Sequence, residues 1–194
     1  MQFIKLAGIC GILLTLISLT GVLVASVIFH LDWSSNTLSD MGDEDAQYTK
    51  DLFNFGLMIG GVFSIIFSLG GLQQSQHTIT KIGFILLIVS SFVLIGVGIF
   101  HLPDPLHIPF ASAFFLFSPL AVFVIGIGLI QENKLSTAVF ALVASIIGFI
   151  FTGIMAMVFL DMSFGVLNAT TEFIVVVSIV SWVSFYSLKL LCTK

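Results

Sequence analysis

Residues 3–29 read FIKLAGICGILLTLISLTGVLVASVIF, and positions 6–29 carry no charge at all. About 20 apolar residues in a helix span a hydrocarbon core of about 30 Å. A signal peptide has a shorter apolar stretch, of roughly 7–15 residues, ended by a small-x-small cleavage site. This stretch is longer and lacks such a site, so it is expected to stay as a first membrane helix. Five further apolar stretches follow, near residues 52–72, 81–100, 106–130, 135–160 and 173–191. Short joins separate all but the first pair, which is linked by a polar segment from Leu31 to Asp51. The expected fold is all-α: one integral membrane domain over residues 1–194, a bundle of six transmembrane helices.

Composition agrees. Of 194 residues, 58% are hydrophobic and 8% charged, where a soluble domain carries about 25% charge. Lipid must therefore solvate much of the apolar surface. Net charge is −4 and arginine is absent, which argues against a nucleic-acid partner, since phosphates require basic patches. Cys10 lies inside the first apolar stretch and Cys192 near the end of the chain. That spacing suits neither a disulfide framework nor a cysteine zinc site.

Lysines set the expected orientation. With the N-terminus inside, Lys5, Lys81, Lys134, Lys189 and Lys194 are cytoplasmic and only Lys50 is outside. The acids mirror this: Asp32, Asp40, Asp43, Glu44, Asp45, Asp51, Asp104, Asp161 and Glu172 fall outside, with Glu132 alone inside. Both termini are thus expected in the cytoplasm, in a multi-pass protein of the cell membrane. Helices 1, 3 and 5 end in Phe29-His30-Leu31-Asp32, Phe100-His101-Leu102-Pro103-Asp104 and Phe159-Leu160-Asp161. This echo is read as an aromatic belt followed by a polar exit at the interface.

Three outer segments carry groups capable of chemistry. The first, WSSNTLSDMG from Trp33 to Gly42, offers Asn36, Ser39 and Asp40 as donors and acceptors, with Gly42 expected in a tight turn. The second, HLPDPLH from His101 to His107, places Asp104 to cap helix 4 and Pro105 as its first residue. His107 would follow one turn later, facing Asp104. A carboxylate and imidazole so placed share a proton, orient water, or give two ligands to a divalent metal such as zinc, with His101 or a carboxylate from another loop as a third. The third, NATTE from Asn168 to Glu172, offers Thr170 or Thr171 as a cap and sets Glu172 at the membrane boundary. An ionisable group at that depth tends to face the bundle interior. Asn168-Ala169-Thr170 also matches a glycosylation sequon. Within the bilayer, Gly56-x-x-x-Gly60, followed by Gly61, reads as close helix packing.

An N-x-L-S-D-x-G loop after helix 1, a Pro-Asp-x-x-His turn before helix 4 and a glutamate opening helix 6 resemble the prokaryotic family catalogued as domain of unknown function 998. The resemblance covers nearly the whole chain. That family is in turn similar to the eukaryotic Frag/DRAM/Sfk group, which includes a factor for remodelling GPI-anchor lipid. The resemblance implies functional positions at Asn36, Ser39, Asp40, Gly42, Asp104, His107 and Glu172. Helix 6 opens T-T-E-F, without the arginine expected after the glutamate, so the resemblance does not extend to a Glu–Arg pair.

The residues leave three functions open. In the preferred one the protein is non-catalytic, a lipid-binding or scaffold protein whose outer polar groups form a network, with membrane lipid or further copies of the chain as partners. In the second it is a hydrolase or lipid-remodelling enzyme, with Asp40, Asp104, His107 and Glu172 activating water against a head group or acyl ester. Transport of a small molecule comes third, for want of intramembrane charge and of broken helices in matching halves.

Overall fold

A computed structural model describes residues 2–162 and 165–192, which leaves Lys194 outside the described part. Six helices carry the chain: α1 (Gln2–Phe29), α2 (Lys50–Gln74), α3 (Thr78–Ile99), α4 (His107–Gln131), α5 (Leu135–Phe159) and α6 (Ala169–Leu191). No strand occurs among the described residues. All six are long and apolar enough to cross a membrane, so the chain is an integral multi-pass membrane protein.

Successive helices pack side by side, and α6 closes the ring against α1 while also touching α2 and α4. At the centre, the rings of Phe67, Phe84, Trp182 and Tyr186 pack together. Trp182 and Tyr186 are 5.3 Å apart between centroids, and Phe67 meets Trp182 edge-on at 6.2 Å. Around them lie Leu14 of α1, Ile125 and Leu129 of α4, and Ala138, Ala141 and Ala144 of α5. In lipid such packing is held by close van der Waals contact rather than by escape from water. Small residues bring the backbones together. A Cβ on Gly83 would lie 2.7 Å from the Ile125 amide nitrogen, and one on Gly61 would lie 2.9 Å from the Ser91 carbonyl oxygen. Gly56 behaves differently from its expected role as a contact glycine: a Cβ there would meet nothing within 4 Å. Gly61, the last glycine of the expected contact, does make the close approach.

Pro119 interrupts α4. Proline has no N–H, so the carbonyl four residues earlier loses its helical donor. That carbonyl belongs to Phe115, and the Thr152 hydroxyl of α5 donates to it at 3.0 Å. The defect in one helix thereby becomes a tie to the next.

At the lysine-bearing end, Glu132 joins two loops. One carboxylate oxygen accepts the Gln76 and His77 amides, each at 3.0 Å, and the other accepts from Lys134 at 2.7 Å. The Glu132 side chain is only 3% exposed. Burial opposes its ionisation, but the Lys134 hydrogen bond and charge, the His77 amide and the Thr80 hydroxyl outweigh that. The carboxyl is held below the ordinary glutamate value.

Candidate functional site

The site is assembled at the opposite end, beginning where α1 stops. His30 takes a left-handed backbone (φ 56°) and the Leu31 amide returns to the Ser26 carbonyl at 2.9 Å. Asp32 then orders the first loop. Its carboxylate accepts the Ser34 amide at 2.9 Å and the Ser34 hydroxyl at 2.6 Å, and these bonds hold the acid below the usual carboxylate range.

Residues 38–42 form one 3-10 turn, organised by Asp40. One Asp40 oxygen takes the Thr37 amide at 2.9 Å and the Asn36 side-chain amide at 3.1 Å; the other takes the Thr37 hydroxyl at 2.9 Å. Leu38 and Met41 are buried and anchor the turn among Val22, Ala25, Phe53 and Ala169. Gly42 serves a different purpose from the expected one, since no glycine has positive φ. A Cβ there would collide with Asn54 and Phe53, and the Asn54 side-chain amide donates to the Gly42 carbonyl at 2.9 Å. Gly42 therefore ends the turn as expected, but glycine is needed there for close approach rather than for a left-handed backbone.

The start of α6 is pinned to the same loop. Asn168, not Thr170 or Thr171, caps the helix by accepting the Thr171 amide at 3.0 Å. Its Nδ2 donates to the Ser34 carbonyl at 3.2 Å, so the nitrogen of the sequon is occupied. The Ala169 amide donates to the Asn36 carbonyl at 2.6 Å, and the Thr170 hydroxyl to the Trp33 carbonyl at 2.8 Å. One turn further, Glu172 is 4% exposed and accepts the Leu38 amide at 2.6 Å. The first turn of a helix leaves its amides without internal acceptors, and Glu172 fills that need for the 3-10 turn.

The second loop supplies His107. Helix α4 begins at this residue, two positions after the expected Pro105. Asp104 does not face the imidazole: its carboxylate accepts the Leu106 amide at 2.8 Å, while its backbone carbonyl takes the His107 amide at 3.0 Å. The ring, 5% exposed, instead has Nδ1 at 2.8 Å from the Phe100 carbonyl and Nε2 at 2.9 Å from Ser39 Oγ. A carbonyl only accepts, so Nδ1 carries the proton and Nε2 of the neutral ring accepts from Ser39.

These groups share a cavity of about 620 Å³. Thr37, Ser39, Asp40, His107 and Glu172 line its polar end, and Ile108, Phe115, Leu116, Met155, Phe159 and Leu160 are among its apolar walls. The cavity exists because α5 leaves the bundle: its buried positions run from Thr137 to Gly148, and beyond them only Met155 is buried. Ile108, Leu116, Phe159 and Leu160 are exposed, so the mouth faces lipid between α4 and α5. A crevice of about 90 Å³ lies beyond a wall containing Ser39, Ala111, Phe115 and Glu172, with Gly21 and Gly56 on its far side.

Of the residues expected to act together, Ser39, Asp40, His107 and Glu172 reach this cavity. Asn36 and Gly42 support the turn from behind, and Asp104 and His101 are not in the lining. His101 Nδ1 is instead engaged with the Leu102 carbonyl at 2.9 Å. The zinc set of His101, Asp104 and His107 is therefore not assembled. Among the described residues no three His, Cys, Asp or Glu side chains are grouped to hold a metal ion. Two features have no sequence signal: the Ser39–His107 bond joins positions 68 apart, and the Phe100 carbonyl is a backbone group.

A family model described as protein of unknown function (DUF998) matches residues 9–189. The chain belongs to the DUF998 family. No curated protein and no solved structure matches it. For this DUF998 chain, then, the fold and family rest on the helices and the match, while activity has to be argued from the cavity.

Proposed function

We propose that the protein binds a membrane amphiphile, with the apolar part between α4 and α5 and the polar group against Ser39, Asp40, His107 and Glu172. The observation that carries this reading is the shape of the site. It is a largely apolar chamber of about 620 Å³ with exposed apolar residues at its mouth and with Thr37, Ser39, Asp40, His107 and Glu172 clustered together, apart from Ser112 and Thr152 on the α4 and α5 walls. Such a lining suits an amphiphile, whose tail fills the apolar part while its polar group meets the cluster. By the lysine distribution, the polar end faces outward and the ligand comes from the outer leaflet.

Native mass spectrometry of the purified chain tests the binding. The wild type is expected to retain one amphiphile that Ala156→Phe loses. Ala156 lines the cavity and is itself exposed, so the larger ring occupies the chamber without disturbing the core. Equal retention by both proteins would count against the reading.

Hydrolysis is a second reading, favoured by one contact: Ser39 Oγ donates to His107 Nε2 at 2.9 Å. In that chemistry Ser39 Oγ bonds to an ester carbonyl carbon and its proton passes to His107 Nε2. The C–O bond then breaks, the alcohol takes that proton, and water releases the acid from the acyl-serine. Asp40 and Glu172 beside the pair would oppose an oxyanion rather than stabilise it, which is why binding takes precedence. The same spectra separate the two, because hydrolysis requires a covalent acyl mass on Ser39 that is absent from Ser39→Ala.

A further inference from the structure

Resting on the binding reading, we infer that the polar group of the occupant is a cationic amine, held by Glu172. At the polar end of the cavity nearly every proton is already committed within the protein. The Thr37 hydroxyl donates to Asp40, and Ser39 Oγ donates to His107 Nε2. His107 Nδ1–H is spent on the Phe100 carbonyl. What remains beside these groups is acceptors; the Ser112 hydroxyl, on the α4 wall, is a lining donor with no hydrogen bond among the described residues. Glu172 commits one oxygen to the Leu38 amide. Its other oxygen, Oε1, receives no hydrogen bond from the described residues, although the side chain lines both the chamber and the crevice behind it.

Charge points the same way. Two carboxylates border the chamber, no lysine is in the lining of either cavity, and the chain has no arginine. A buried carboxylate without a cation is costly, and a charge-assisted partner offsets that cost. A phosphate or sulfate would bring like charge against Asp40 and Glu172, and among the described lining residues it would find the neutral Ser112 hydroxyl but no cation to receive it. An alcohol offers one proton and no charge. An ammonium offers three donors and the missing positive charge, on an apolar tail that the α4–α5 walls accept.

The test uses three ligands of equal chain length on the full-length purified protein: dodecylamine, dodecanol and dodecyl phosphate, titrated by calorimetry in neutral detergent. Dodecylamine is expected to bind at least about tenfold more tightly than dodecanol, with dodecyl phosphate weakest. Glu172→Gln keeps an oxygen for the Leu38 amide and is expected to reduce the amine to the level of the alcohol. Equal binding of amine and alcohol, tighter binding of the phosphate, or an amine advantage that survives Glu172→Gln would overturn the inference and leave the binding reading standing. Failure of all three ligands to bind would remove both. The wild-type ranking decides the matter independently of how the variant folds.

Discussion

Glu132→Ala is expected to lower the unfolding free energy by on the order of 3 kcal/mol, since hydrogen bonds to charged groups contribute about 1.5–3 kcal/mol each. The carboxylate holds the Gln76 and His77 amides and the Lys134 ammonium at once. Removing it leaves the amides between α2 and α3 without acceptors and frees the loop between α4 and α5. Glu132→Gln keeps an oxygen for the two amides and loses only the charge, so its loss is expected to be smaller. The pH dependence follows from the direction of the shift. Because the folded carboxyl is held below its unfolded value of about 4.3, its contribution is full above that pH and is lost as pH falls through the depressed folded value. Equilibrium unfolding in detergent at pH 7 and pH 4 reads both effects. Alanine and glutamine variants of equal stability, or a stability gap that widens on acidification, would contradict this account of Glu132.

Gly83→Ala and Gly56→Ala should change stability in opposite directions, although both place a methyl group on a membrane helix. At Gly83 the methyl would sit 2.7 Å from the Ile125 amide nitrogen and 3.1 Å from the Ala121 carbonyl oxygen. Backbone cannot turn aside as a side chain does, so α3 and α4 must separate near the bundle core. Overpacking of this kind costs about 1–3 kcal/mol. At Gly56 the methyl enters open space, and the better helix propensity of alanine predicts a gain of up to about 1 kcal/mol. The same unfolding titration reads the pair. Similar losses at both positions would mean that the open space beside Gly56 is filled.

That contrast shows where sequence reading ends. The six helices are legible because each apolar stretch is long enough to cross a membrane, and their bounds shift only where polar residues join a helix. Lys50 and Asp51 extend α2 backward, Ala169 starts α6 four residues before Phe173, and α4 waits until His107. Gly56-x-x-x-Gly60 matches a contact motif, yet which glycine meets a neighbour depends on how α1, α2 and α3 are rotated, and no local pattern records that. Similarly, Glu172 is legible as a boundary carboxylate because an apolar span follows it directly. Its partner, the Leu38 amide, is not, since any backbone N–H in the first loop has the same letter code. Asp104 and His107 look paired along the chain; in space the acid turns to Leu106 and the imidazole to Ser39, because the helix starts later than the proline suggests. The loop sequence WSSNTLSDMG shows which groups are present but not that Asp40 spends its oxygens on Thr37 and Asn36. That expenditure leaves Glu172 as the acid with an oxygen to spare.

The most direct test of amphiphile binding is photocrosslinking in lipid vesicles with a long-chain amine that carries a diazirine midway along its tail. Peptide mapping is expected to find the label concentrated on α4 from Ile108 to Leu116 and on α5 from Thr152 to Leu160, with labelling there suppressed by excess dodecylamine. Label spread evenly over the exposed faces of all six helices, unaffected by competitor, would contradict the account.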